Sequence, residues 1–152
     1  MCQRIAIMAL IEKSMLVEYP AETMFSLVDD VERYPEFLPW CGGAEILSRD
    51  EQTVHAALHI HYKGIRQRFS TRNRVQLPNL IEITLIEGPF RHLDGRWKFT
   101  PLGTQACKIE FTLRYEFANR LLEKLVGPVF HYIANSFVDA FVKRAASLYG
   151  KR

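Results

Sequence analysis

Residues 107–117 read CKIEFTLRYEF, and residues 120–149 read RLLEKLVGPVFHYIANSFVDAFVKRAASLY. In the first stretch Cys107, Ile109, Phe111, Leu113, Tyr115 and Phe117 alternate with Lys108, Glu110, Thr112, Arg114 and Glu116. A period of two with one apolar and one polar side belongs to an antiparallel strand whose one face is buried. It predicts a strand over Gln105–Ala118. In the second stretch Leu122, Val126, Val129, Ile133, Phe137, Phe141, Ala145 and Leu148 recur at steps of three and four. That is the stripe of a helix, about Arg120–Tyr149. Gly127-Pro128 interrupts it. Because proline removes one backbone hydrogen bond and clashes a turn back, a kink or restart is expected there. Asn135, Asp139, Lys143 and Arg144 fall off the stripe and read as a solvated face.

Upstream of this pair the period is two for most of the chain. Strands are expected at Ala44–Arg49, Gln52–Tyr62, Ile65–Leu77, Ile81–Gly88 and Arg96–Pro101, in addition to Gln105–Ala118. The turn signals between them are Asp50-Glu51, Lys63-Gly64, Pro78-Asn79, Gly88-Pro89, Asp94-Gly95 and Leu102-Gly103. Ahead of these, Ile11–Tyr19 reads as a first strand broken by Pro20. Ala21–Asp30 has helical spacing, with Met24, Phe25, Leu27 and Val28 on its apolar side. A second short helix is expected after Asp30, a good N-cap, ending before Pro35 or Pro39. Seven strands with one apolar face need a cover, and the C-terminal helix is the only element long enough. The fold class is α+β: a seven-stranded antiparallel sheet curled around the long helix in a helix-grip shape, with two short helices after the first strand. Such a shape leaves room for a cavity between sheet and helix.

The 152 residues fit one domain, and an apolar share of 48% with 24% charged residues is ordinary for a globular chain. Met1–Ile7 reads as a leader ahead of Met8, outside the domain's structure. The apolar run Ile5–Ile11 is too short to span a bilayer. Cys2, Cys41 and Cys107 are odd in number, widely spaced and free of any C-x-x-C pair. They read as reduced thiols in a cytoplasmic protein, with Cys41 and Cys107 structural. The net charge of +3 permits an anionic partner without requiring one.

No nucleophile elbow, H-E-x-x-H or P-loop is present, which lowers the prior for catalysis. His55, His59 and His61 share one parity and one face, but they are strung along a strand rather than converging on a point. No metal site is assigned to them. If Lys63-Gly64 is a two-residue hairpin loop, His61 lies opposite Arg66, His59 opposite Arg68 and His55 opposite Arg72, and Arg74 extends the row. Like charges facing each other across strands are unfavourable. The ladder Arg66, Arg68, Arg72 and Arg74 is therefore either a docking surface for phosphate or another acidic partner, or a well-solvated face softened by neutral histidines.

The inward parity carries aromatics. Trp97, Phe99, Phe111, Tyr115, Phe130, Phe137 and Phe141, with Ile133, map to the cavity side. Phe37, Leu38 and Trp40 follow the second helix, and Phe90 follows Gly88-Pro89; these are expected to form a lid or mouth. Gln67, Thr71 and Asn73 have inward parity and are candidate polar anchors. An apolar pocket with a few polar anchors suits a lipid-like ligand. The alternative is that each of these residues simply packs the core. His92 and His131 are the only candidates for acid–base work, and they read as surface or loop residues.

The run Tyr19-Pro20-Ala21-Glu22, then Met24-Phe25, Leu27-Val28, Asp30-Val31-Glu32 and Tyr34-Pro35-Glu36-Phe37-Leu38-Pro39-Trp40-Cys41, closely resembles one family. Gly88-Pro89-Phe90, Leu93, Gly95, Trp97, Tyr115-Glu116-Phe117, Val138-Asp139-Ala140-Phe141 and Arg144-Ala145 agree with it. It is the START-like family that includes mitochondrial coenzyme Q-binding proteins and the bacterial ribosome-association toxin, with related domains labelled polyketide cyclases. The resemblance covers nearly the whole chain after about Ile11. It implies a helix-grip fold with a hydrophobic cavity and two functions on one scaffold. The first is a non-catalytic carrier of ubiquinone or another lipid that supports respiration, in peripheral contact with a membrane, with no cofactor required. The second is a toxin that binds the large ribosomal subunit and blocks subunit association. The first expectation is the carrier, with Phe37, Leu38, Trp40, Phe90, Trp97, Phe99, Phe111, Tyr115, Ile133, Phe137 and Phe141 as wall and lid. The toxin, using Arg66, Arg68, Arg72 and Arg74, is the alternative. An aromatic polyketide cyclase ranks last.

Overall fold

In the computed structural model, which describes residues 8–76 and 79–150, the chain order is β1 (Ala9–Val17), α1 (Ala21–Asp29), a 3-10 turn (Val31–Glu36), β2 (Cys41–Arg49), β3 (Thr53–Tyr62), β4 (Ile65–Gln76), β5 (Leu80–Glu87), β6 (Phe90–Pro101), β7 (Cys107–Phe117) and α2 (Arg120–Tyr149). The expected leader Met1–Ile7 lies outside the described residues. The strands form one seven-stranded antiparallel sheet in the order β1-β7-β6-β5-β4-β3-β2. The sheet curls around α2 in the expected helix grip. β1 meets β7, so the first strand closes against the last.

Sequence and structure part company at three places. β6 begins at Phe90, six residues before the expected start. The Asp94-Gly95 pair is not a turn: Gly95 sits mid-strand between Ile83 and Leu113. A Cβ on Gly95 would come within 2.8 Å of the Thr112 carbonyl oxygen, so close strand approach rather than chain reversal accounts for this glycine. The second short helix is present where expected, as the 3-10 helix Val31–Glu36, with Pro35 inside it. Asp30 flanks it but makes no side-chain cap; its carboxylate pairs with Arg33 Nε at 3.2 Å. Finally, α2 passes through Gly127-Pro128 as one helix of 30 residues, with no restart. Asn119 opens it by accepting the Leu122 N–H at 2.9 Å, which satisfies one of the free donors of the first turn.

The hairpin β3–β4 follows the expected register throughout: Tyr62 faces Ile65, His61 faces Arg66, His59 faces Arg68 and His55 faces Arg72. Lys63 and Gly64 both have positive φ, 49° and 81°. That is the mirror-image turn whose twist matches two right-twisted strands.

α2 buries Val126, Phe130, Ile133, Ala134, Val138, Phe141 and Ala145 against the sheet. Leu148, expected on this stripe, is exposed. Two groups of aromatic rings lie under the helix. Phe69, Phe90, Tyr115, Phe117 and Phe130 pack edge-to-face or stacked near its first half. Tyr34, Trp97, Phe111, Phe137 and Phe141 do so near its second half.

Candidate functional site: an apolar cavity and a cationic outer face

Between the two aromatic groups lies a cavity of about 70 Å³. Seven side chains serve as landmarks. Phe69 and Phe130 close one end; Tyr34, Trp40, Trp97, Phe111 and Phe137 close the other. Of the residues expected to form the wall, Trp40, Trp97, Phe111, Ile133 and Phe137 line this space. Phe90, Phe99, Tyr115 and Phe141 do not; they pack in the core around it, and all are at most 6% exposed. Phe90 therefore forms no lid. It opens β6 and is held between Phe69, Phe117 and Phe130.

Gly88 explains why that corner is so tight. A Cβ at this glycine would fall 2.6 Å from the Phe69 Cβ. Sequence parity had not singled out Tyr34, Leu93 or Leu113, which also face the cavity. Leu113 carried the right alternation and was findable. Tyr34 sits in a 3-10 turn, where no period announces a face.

The polar lining is sparse: besides Asp29, whose carboxylate pairs with Arg49 at 3.4 Å, it is Thr71, Asn73 and Tyr34. Thr71 Oγ1 donates to Asn73 Oδ1 at 2.8 Å, which leaves the Asn73 amide with donors to offer an acceptor inside. Gln67, the third expected anchor, does not line the cavity. Tyr34 donates its hydroxyl to the Val28 carbonyl, and burial drives its pKa far upward, so it is a fixed neutral donor.

Phe37, Leu38 and Trp40 form a partition rather than an open mouth. Trp40 faces the cavity, and all three also line a groove of about 360 Å³ on the outside of α2. Arg144, expected in solvent, clamps this partition. Its side chain is only 14% exposed, bonds Glu36 at 2.8 Å and lies 4.9 Å from the centre of the Phe37 ring. The Arg144 hydrogen bond holds the Glu36 carboxyl below its usual range.

The opposite face of the sheet is cationic. Arg66, Arg68, Arg72 and Arg74 are all exposed. Arg68 reaches Glu87 at 3.9 Å, while no carboxylate comes within 4.0 Å of Arg66, Arg72 or Arg74 among the described residues. Strand pairing extends the face, because Arg74, Glu82 and Arg96 form one row and Arg72, Thr84, Asp94 and Arg114 the next. His55, His59 and His61 belong to it as well. His59 Nε2 lies 3.0 Å from Glu45, and that hydrogen bond lowers the Glu45 carboxyl's pKa. Among the described residues no group of three His, Cys, Asp or Glu side chains is arranged to hold a metal.

His92 and His131 are not poised over the cavity. His92, expected on a surface or in a loop, belongs to β6 and bonds Asp94 at 2.7 Å. Burial alone would raise the Asp94 carboxyl's pKa, but hydrogen bonds from Arg114 and His92 outweigh it and lower it. His131 Nδ1 lies 3.3 Å from the Tyr115 hydroxyl on the exposed side of α2. Cys41 and Cys107 are free and buried; burial raises the Cys41 thiol and pushes Cys107 up to about 11. Both thiols are inert by this criterion.

A curled sheet closed by one long helix over an apolar cavity defines a helix-grip domain. Residues 17–142 match the family described as polyketide cyclase / dehydrase and lipid transport, and the chain belongs to it. Among its relatives, the ribosome association toxin RatA of Pseudomonas aeruginosa is 45% identical, with 92% of this chain and 97% of that protein covered. RatA of Escherichia coli K12 is 44% identical, covering 96% and 92%. More distant is the coenzyme Q-binding protein COQ10 homolog B, mitochondrial, of Xenopus laevis, 26% identical over 92% of this chain and 59% of that protein. Solved structures share the fold, among them the ZhuI aromatase/cyclase of a Streptomyces species (TM-score 0.78, 18% identity, 91% and 94% covered).

Proposed function

We propose that the chain is a cytoplasmic, non-catalytic protein that associates with the ribosome through the cationic outer face of its sheet and inhibits translation by blocking subunit association. The observation that carries this reading is the row Arg66, Arg72 and Arg74, exposed and with no carboxylate within 4.0 Å among the described residues, on a chain 44–45% identical to proteins named ribosome association toxins. Side-by-side arginines repel one another; the negative charge of a phosphate backbone relieves that repulsion, and the release of its counterions drives binding. The large subunit is the surface to test first. Co-sedimentation with purified subunits at rising salt should show steep loss of binding. An Arg68→Glu/Arg72→Glu variant that still pellets with the large subunit and still blocks subunit joining would sink the proposal.

A second reading is supported by the cavity: retention of a hydrophobic ligand, a polyprenyl quinone foremost. Apolar walls and one amide–hydroxyl corner at Thr71 and Asn73 suit a ring bearing carbonyl oxygens. At about 70 Å³ the cavity is far below the roughly 300–1,000 Å³ of ligand sites, so this reading requires the Phe37–Trp40 partition to move. Mass spectrometry of an organic extract from natively purified protein tests it. A stoichiometric quinone lost in a folded Phe137→Asp variant is the expected result, and an extract without enriched lipid counts against it.

A further inference from the structure

The outer face of α2 changes character along its length. In its second half this face carries Asp139 and Lys143, paired at 3.0 Å. In its first half it carries Leu121, Leu125 and Tyr132, exposed by 66, 57 and 48%, with Pro128 between them. The steps of four, three and four put these residues on one line down the helix. The line runs on to a second element: the Tyr132 ring stacks on Tyr62 of the β3–β4 hairpin at 5.6 Å and 5° between planes. Two separate elements thus converge on one apolar surface that nothing among the described residues covers.

Cations border this surface. Arg120 and Lys124 stand along one side of the stripe, and Lys63 stands over Tyr62, its Nζ 5.4 Å from the ring. None of the three has a carboxylate within 4.0 Å among the described residues. Glu123 is the one acid in the first turn of α2, and it turns away into the groove beside Tyr115 and Phe117. Leucines and tyrosines at the centre with unpaired lysine and arginine at the rim is the pattern of a helix lying in a membrane interface.

We infer that this surface docks on an anionic lipid bilayer. The charge argues against a second copy of the chain, because a two-fold contact would gather Arg120, Lys124 and Lys63 of both copies around one apolar surface. A span is ruled out by the packing: α2 buries seven residues against the sheet, so only its outer side is free for lipid. The inference does not rest on the ribosome reading, since the arginines of the sheet's outer face take no part in it.

The test is flotation of the full chain with two kinds of vesicle, phosphatidylcholine alone and phosphatidylcholine mixed with phosphatidylglycerol. The wild type should float with the mixed vesicles, less so at high salt, and stay behind with phosphatidylcholine alone. Leu121→Asp/Leu125→Asp should lower partitioning about tenfold or more, with an unchanged circular dichroism spectrum, because both leucines are exposed. Arg120→Glu/Lys124→Glu should lose the salt-sensitive part while keeping both leucines, and Arg68→Glu/Arg72→Glu should float like wild type. The inference is overturned if the wild type does not float with the mixed vesicles, or if the leucine variant floats as well as wild type. It is equally overturned if the wild type is a dimer that the leucine variant dissolves without any lipid binding.

Discussion

The two faces of the β3–β4 hairpin are interleaved in sequence and opposite in character. Inward, Val54, Ala56, Ile60, Phe69 and Val75 are buried, and Thr71 and Asn73 set a polar corner of the cavity. Outward, one residue away each time, stand His55, His59, His61, Arg66, Arg68, Arg72 and Arg74. Because a strand alternates with period two, neither face constrains the composition of the other. Packing fixes the inner residues. The outer ones are not fixed by packing, and a row of exposed arginines beside histidines is poor for stability. The difference separates what holds the fold from what is left free to meet a partner.

Breaking the inner face should cost most. Trp97→Ala removes a ring that is 1% exposed and touches Phe99, Phe111, Phe137 and Phe141, and should destabilise the chain by about 3–5 kcal/mol in urea unfolding. Gly88→Ala forces a methyl against Phe69, including 3.3 Å from its Cα, and should cost about 1–3 kcal/mol by the same measurement. Next comes the clamp at Glu36. Its folded pKa is lowered, so its stabilising effect is present above the unfolded carboxylate range and fades as the pH falls through the folded value. Glu36→Gln should flatten that acid limb of the Tm-against-pH curve; an unchanged limb would remove the clamp from the account.

Smaller still is Lys63→Gly, which relieves a side chain at φ 49° and should raise stability by about 0.5 kcal/mol. The outer face closes the series: Arg72→Glu should shift stability by no more than about 0.5 kcal/mol, yet lower the salt slope of ribosome binding by about one. A large stability loss there would erase the contrast between the faces.

That contrast was legible where period and turn chemistry spoke together. Lys63-Gly64 fixed the hairpin register residue by residue, and alternation assigned both faces correctly. Legibility failed where one local signal has two physical causes. Asp94-Gly95 looks like a turn, yet its glycine answers to the Thr112 carbonyl of the neighbouring strand, which no local reading sees. Arg144 looks like a solvated residue of a helix, and its partner Glu36 lies 108 positions away. Among the wall residues, parity could not tell Phe111, which touches the cavity, from Tyr115, which packs beside it; both point inward, and only the tertiary fit separates them. Leu121 and Leu125 lie off the stripe that the period picks out, and period alone does not say what an exposed leucine off the stripe meets.

The pairing of β1 with β7 has a consequence for how the chain is made. Val17 finds its partner at Cys107, and Ala9 finds its partner at Tyr115, so β1 has no strand to pair with until the last strand has been synthesised. At roughly 5–20 residues per second the first strand waits for seconds, with Ile11 and Val17 uncovered, while the ribosome produces everything in between. Nascent chains arrested before Cys107 should be cut readily by protease, and those arrested beyond α2 should resist it. Birth on the ribosome is therefore a stage at which this protein's apolar interior lies open to whatever hydrophobic molecule is near.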